Sequence, residues 1–219
     1  MRKDKEKAVE LRLSGKSYNE IKDILKISKS TLSEWFKVMP ESENIRQKLV
    51  ADRKENDLLV LKKVNNKRSL YLDALYEKAR SDAVIEYEIH SKTALFIAGL
   101  GLYYGEGNKA SKYAVSISNS DYRVLAIFRN FLIRVCNISP GVIKSWLLLY
   151  PDLNEEICKE HWINKVHLGR DSFMKSTCIQ GRHKTRRVSY GICTIGLGSR
   201  VLKNKILVWL DLMAQNMGK

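Results

Sequence analysis

The stretch TALFIAGLGLYYGEGNK, residues 93–109, constrains what this chain can fold into more than any other. Ala94, Ala98, Gly101 and Gly105 are spaced four, three and four apart, so a helix aligns them in one stripe of small residues. Gly99, Gly101 and Gly105 each cost a helix about 1 kcal/mol relative to alanine. Such a helix needs compensation, and the close approach of a second helix along the small face supplies it. The apolar run ends at a single acid, Glu106, followed by Gly107, a residue suited to a helix C-terminus. A carboxylate there opposes the helix dipole unless a cation lies nearby. The run is too short for a membrane span and predicts a buried core helix. Closely spaced glycines also occur in the dinucleotide fingerprint, and Asp121 stands at about the distance of its ribose acid. That motif needs a strand before the glycines and a full helix after them, and Glu106-Gly107-Asn108 leaves no room for the helix.

Charge points to the kind of partner. The formal net charge is +15, and it is unevenly placed. Residues 1–40 carry 10 basic and 6 acidic side chains, residues 41–93 carry 11 and 10, and residues 94–219 carry 18 and 8. A near-neutral middle between two basic ends favours a polyanion, nucleic acid, over a generic charged surface. Cys136, Cys158, Cys178 and Cys193 lie far apart with no C-x-x-C, which argues against zinc. The four histidines lack metal-ligand spacing and read as surface or packing residues. The N-terminus MRKDKEK leads into a charged helix and not a signal peptide. The expectation is a cytoplasmic protein with reduced cysteines, nucleoid-associated in a prokaryote, with no membrane and no small-molecule cofactor.

Residues 5–37 predict three short helices. The first places Ala8, Leu11 and Leu13 on one face and stops at Gly15. Ser17 caps the second, with Glu20 completing a capping box and Ile21, Ile24 and Leu25 facing inward. Ser28 caps the third, KSTLSEWFK, whose Leu32, Trp35 and Phe36 face the core. From 42 to 89 the chain is helix-compatible, with an irregular apolar face of Val50, Leu58, Leu61, Leu70, Leu72, Leu75 and Tyr76. One or two helices are expected there, with Asn65-Asn66 as the natural break.

Beyond Glu106 strands and helices alternate. A short strand edge and turn is predicted over 108–112, a strand over 113–119 and a helix over 121–136. The face of that helix is Val124, Ile127, Phe128, Phe131 and Leu132. Strands are predicted over 142–150, 173–179 and 187–197, and helices over 153–166 and from Ser199 to Met213. Asn119 and Asp121 read as strand end and helix cap.

The first three helices, in SYNEIKDILKISKSTLSEWFK, resemble a helix-turn-helix of the resolvase or transposase type. The resemblance implies that the third helix enters the major groove, with Lys29, Ser30 and Ser33 over bases and Thr31 and Lys37 nearer phosphate. Lys22 and Lys26 depart from it, standing where a small residue and a turn glycine are usual.

GLGLYYGEG, residues 99–107, resembles the signature of the LAGLIDADG homing endonucleases, with Gly101, Leu102, Glu106 and Gly107 at the matching places and Tyr104 departing from the first acid. The order of elements after Ala94 is similar to that family's core, with the 153–166 helix as an insertion. The fold so implied is α+β. It comprises a three-helix helix-turn-helix in residues 1–40, a helical linker in 41–92 and a core in 93–219. That core is a helix with a curved antiparallel sheet and packing helices, forming a saddle on double-stranded DNA. The resemblance makes Glu106 the catalytic acid and, with the Gly105 carbonyl, the ligand of Mg²⁺ or Mn²⁺. Ala94, Ala98, Gly101 and Gly105 become a homodimer interface. One carboxylate per chain is too few for a metal site, so pairing of two chains is required. The family also uses a basic residue beside the metal, a role open to Lys144 or Lys175. Phosphate contacts are expected from Lys109, Lys112, Lys144 and the basic turn with Arg182, Lys184, Arg186 and Arg187.

The implied function is a sequence-specific, metal-dependent DNA endonuclease acting as a homodimer. The alternative on the same scaffold is a DNA-binding transcriptional regulator that does not cut. Retained Glu106 favours the enzyme and the fused helix-turn-helix favours the regulator. An RNA-processing relative is a third reading.

Overall fold

The computed structural model describes residues 4–179 and 188–218, in two compact units, Met1–Tyr71 and Leu72–Lys219. The basic turn with Arg182, Lys184, Arg186 and Arg187 lies outside the described residues. Among the described residues no helix is long and apolar enough to cross a membrane.

In the first unit, α1 (Asp4–Leu13), α2 (Tyr18–Leu25) and α3 (Lys29–Phe36) follow one another through two short turns. Gly15 adopts φ +90 after α1, a conformation that side chains resist. Ser17 and Glu20 form the reciprocal capping box of α2, and Ser28 caps α3 through the Thr31 amide. Lys26 ends α2 in the left-handed region, φ 56 and ψ 33, where glycine is the usual residue. Ala8, Ile21, Ile27, Leu32 and Phe36 make the small core. Leu13 and Ile24, expected inside, are exposed. Arg12 goes inside instead. Its guanidinium donates to the Ser42 hydroxyl (2.9 Å), the Ser42 carbonyl (2.6 Å) and the Lys16 carbonyl (2.8 Å).

The long segment forms one helix, α4, from Pro40 to His90, 51 residues without a break at Asn65-Asn66. An asparagine in a helix costs only about 0.7 kcal/mol, and between Pro40 and Gly99 no glycine or proline interrupts the pattern. Val50, Leu58, Leu61 and Leu70 are exposed, whereas Tyr76, Ala79, Ala83 and Tyr87 are buried within the second unit.

The second unit continues with α5 (Ala94–Glu106), β1 (Ala114–Asn119), α6 (Tyr122–Arg134), β2 (Lys144–Leu149), α7 (Glu155–Val166), β3 (Thr177–Cys178), β4 (Ile192–Gly198) and α8 (Arg200–Met217). The strands form a sheet ordered β1-β4-β2-β3. It is mixed and not wholly antiparallel. β4 runs antiparallel to both neighbours, but β3 lies parallel to β2. The helix α7 between them supplies the long crossover that a parallel pair requires.

Three expected strand stretches, 108–112, 173–179 and 187–197, pair over fewer residues than predicted. At 108–112 only the preceding residue, Gly107, bridges to Ile117. There the Asn108 side chain accepts the Ser111 amide, and the Ser111 hydroxyl accepts the Tyr113 and Ala114 amides. These local bonds capture donors a ladder would use. Over 173–179 the pairing is one bridge, Ser145 to Phe173, and then β3; between them Ser176 donates to Glu155 (2.9 Å). β4 begins later than expected, after Gly191 at φ +69.

One face of the sheet is covered by the helices. Val115, Ile117, Leu147, Cys193, Ile195 and Leu197 are buried with Phe96, Leu100, Phe128, Phe131 and Trp209. On α6, Leu125 rather than Ile127 fills the inward position, and Ile127 is exposed. Phe96 meets Trp209 edge-on at 5.3 Å, and the Trp209 indole donates to the Ala83 carbonyl at 2.9 Å. Each such ring pair adds about 1 kcal/mol beyond its burial.

Candidate nucleic-acid interface

The two sides of α5 differ. Phe96, Leu100 and Tyr103, at i, i+4 and i+7, point into the core. Gly99 lies on that side, where an added Cβ would fall 2.2 Å from the Phe131 ring. Close approach permitted by a missing side chain is therefore used within the chain at Gly99. The stripe of Ala94, Ala98, Gly101 and Gly105 faces outward and is exposed. Among the described residues, a Cβ added at Gly101 or Gly105 would meet nothing within 4 Å.

The end of α5 is fastened to the edge of the sheet. The Gly107 amide donates to the Tyr103 carbonyl, and its φ of −72 is ordinary. Glycine is needed there for a steric reason: an added Cβ would lie 2.2 Å from that carbonyl oxygen. The Asn108 amide donates to Ser116 at 2.9 Å, joining the chain after Glu106 to β1. The Glu106 side chain is exposed and takes part in no hydrogen bond or ion pair among the described residues. Among those residues there is also no group of three or more His, Cys, Asp or Glu able to hold a metal. The oxygens at this point are the Glu106 carboxylate and the last carbonyls of α5, Gly105's among them, of the kind magnesium and manganese take. One chain contributes a single carboxylate.

The other face of the sheet carries polar side chains. Register aligns Ser116, Gly196 and Lys144 in one row and Ser118, Thr194 and Trp146 in the next. Ser118 and Thr194 share a hydrogen bond of 2.7 Å, and Trp146 is 37% exposed. Lys144, the first residue of β2, is half-buried. Lys175 is exposed in the loop before β3, and Lys112 in the turn after α5. Lys109 donates to the Tyr104 carbonyl and sits 5.0 Å over the Tyr104 ring. Asn119 and Asp121 act as the sequence suggests: Asn119 accepts the Asp121 amide, and Asp121 caps α6 through Arg123. The Arg123 guanidinium, hydrogen-bonded to Asp121, holds that carboxyl below the usual range.

In the first unit, α3 leaves Lys29, Ser30, Ser33 and Lys37 exposed and Thr31 half-buried. The Ser28 hydroxyl contacts Ser30 Oγ at 2.8 Å and Thr31 Oγ1 at 2.9 Å, so three hydroxyls cluster at the helix start.

Sequence reasoning missed Lys203. It is 3% exposed, on α8, and its ammonium donates to the Tyr103 hydroxyl and the Asn108 carbonyl. Burial first, and then the Lys109 charge, lower its pKa. Its signal was spacing: Lys203, Ile206 and Leu210 share one helix face, so a lysine stands where the pattern calls for an apolar residue. The cysteines are all free, and burial pushes the Cys193 thiol up to about 12. Comparison with protein-family models, with curated proteins and with solved structures finds no match to this chain.

Proposed function

We propose that this protein is a homodimeric, metal-dependent DNA endonuclease of the LAGLIDADG type, carrying an N-terminal helix-turn-helix that reads DNA sequence. The observation that carries this reading is the outer side of α5. It is an open stripe of Ala94, Ala98, Gly101 and Gly105 leading to an exposed Glu106 whose side chain has no partner among the described residues. A helix that keeps glycine at Gly101 and Gly105, with no neighbour there among the described residues, forfeits about 1 kcal/mol at each unless another helix comes close. A second copy of α5 brings the two Glu106 carboxylates together, where their mutual repulsion favours binding a cation.

Glu106 and the Gly105 carbonyl, from each chain, would hold the ion. Bound Mg²⁺ or Mn²⁺ supplies positive charge to the phosphoryl oxygens and makes a water more acidic. The chain's own residues do the rest. The bridge at Gly107 and the bond from Asn108 to Ser116 fix the height of Glu106 against the sheet edge. The sheet face with Lys144, Ser118 and Thr194 supports the reading of a surface laid against the duplex. Lys29, Ser30 and Ser33, at the exposed start of α3, would reach base edges, and Lys37 a phosphate.

The second reading is a regulator that binds without cutting. One observation favours it: α2 and α3 both form with their side-chain caps made, while the end of α5 offers one carboxylate per chain, Glu106. The two separate on a duplex selected for tight binding from a randomised library. The endonuclease reading expects the wild type to sediment as a dimer and to cut that duplex with Mg²⁺ or Mn²⁺. Tight binding with both strands intact under both metals assigns the protein to the regulators.

A further inference from the structure

A second feature lies beside the end of α5. The turn after it and the first two turns of α8 enclose a cavity of about 160 Å³, lined by Lys109, Ser111, Lys112, Arg200, Lys203 and Asn204. No carboxylate lines it among the described residues. Four cations in so small a space repel one another, at close range by about 1 kcal/mol per pair or more. An exposed group of lysines avoids that cost by spreading into solvent, but three of these four are held, Lys109 by the Tyr104 carbonyl and ring.

Arg200 is held by rings. Its guanidinium lies 4.3 Å over Tyr76 and 5.7 Å from the centre of Tyr113. Stacking fixes the guanidinium plane and leaves its edge donors available. Lys203 is held by hydrogen bonds and burial. Its ammonium has three donors, and the Tyr103 hydroxyl and the Asn108 carbonyl take two. The lowered pKa, caused by burial and then by Lys109, shows how little the site compensates that charge from within the chain. Ser111 adds a hydroxyl whose oxygen already accepts two amides, so its proton is the part left to offer. The site thus presents donors and positive charge, and it is of a size for one tetrahedral anion.

We infer that this cavity is a seat for one phosphate group of a nucleic-acid backbone, bound by Lys109, Lys112 and Arg200 at its rim and by Lys203 at its floor. The inference rests on the DNA-binding reading for the source of the phosphate, while the chemistry of the seat is that of a phosphate from any source. A phosphate seated there neutralises like charges already brought together, so its binding is stronger than a contact to a lone surface lysine. It would also anchor the backbone beside Glu106, since Lys203 holds the Asn108 carbonyl two residues further on.

The test uses the full-length wild type and the surface variants Arg200→Gln and Lys112→Gln. Affinity for duplex DNA is measured against salt, and the Lys203 side-chain resonances are followed during titration with inorganic phosphate. Losing one seated phosphate should lower the slope of log affinity against log salt by about 0.9 and weaken binding about fivefold near physiological salt, equally for unrelated sequences. A duplex that binds wild type and variants with one slope overturns the seat and leaves the DNA-binding reading standing. If the wild type binds no duplex, that reading falls. The phosphate titration then decides: saturable shifts at Lys203 that vanish in Arg200→Gln assign the seat to a free phosphate, and no shift in the wild type overturns it.

Discussion

The Lys203 ammonium donates to the Tyr103 hydroxyl at 2.6 Å, tying α8 to the inner side of the helix that ends at Glu106. Both groups titrate away from their ordinary values, in directions that oppose each other in stability. Lys203 lies below 10.5, so the unfolded chain holds a proton there that the folded chain has already released. Stability from this site therefore rises with pH across the interval that ends at 10.5. Burial pushes Tyr103 up to about 12, so the folded chain keeps a proton that the unfolded one sheds from 10 upward. That contribution is complete below pH 10 and is lost between 10 and about 12. Chemical denaturation from pH 8 to 12 should show the stability of wild type over Lys203→Met growing up to 10.5. The advantage over Tyr103→Phe should shrink above 10. Differences independent of pH would remove both assignments.

Gly99 and Gly101, two residues apart, should answer in opposite ways to a larger side chain. At Gly99 a Cβ collides with the Phe131 ring, so Gly99→Ala should destabilise the monomer fold by ~1–3 kcal/mol despite alanine's better helix propensity. At Gly101 there is open space within the chain, so Gly101→Leu should leave the fold intact. Under the dimer reading it forces the two α5 axes apart, and sedimentation should find a folded monomer. A folded dimer of wild-type affinity would show that the stripe is not the interface.

The exposed start of α3 makes a separate prediction about sequence reading. Lys29→Ala and Ser33→Ala should each reduce the preference for a selected site over an unrelated duplex, by about 1–3 kcal/mol for a lost base contact. Lys37→Ala should weaken both duplexes alike, since a phosphate contact carries no sequence information. Competition binding with the two duplexes separates these outcomes. If Lys29 and Ser33 behave like Lys37, α3 does not read bases.

What was legible in the sequence follows from how local each cause is. The caps at Ser17, Ser28 and Asp121 could be read because a side-chain oxygen captures a backbone amide at a fixed spacing. The continuity of α4 through Asn65-Asn66 is not legible in the sequence, because two mildly unfavourable residues look like a break that only a proline or glycine enforces. The turn at 108–112 was legible but its strand edge was not, because Asn108 and Ser111 compete for amides that strand propensity alone assigns to a ladder. The parallel pairing of β3 depends on where the α7 crossover returns, which no local pattern records. At the candidate site the small stripe and Glu106 stood out, because glycines and an acid are costly in such a helix. Lys203 did not, because one lysine in a basic helix is unremarkable until its surroundings are known.

Glu106→Gln tests the central claim most directly, because it keeps shape and helix propensity while removing the charge. Wild type and variant would be assayed on a selected duplex, for affinity in chelator and for strand cleavage with Mg²⁺ and Mn²⁺. The account predicts that the wild type cuts. It predicts that the variant loses cleavage with either metal and binds the duplex in chelator as tightly or slightly more tightly, a repulsive charge having gone. Cleavage that survives in Glu106→Gln would contradict the assignment of this carboxylate as the ligand that holds the metal to DNA.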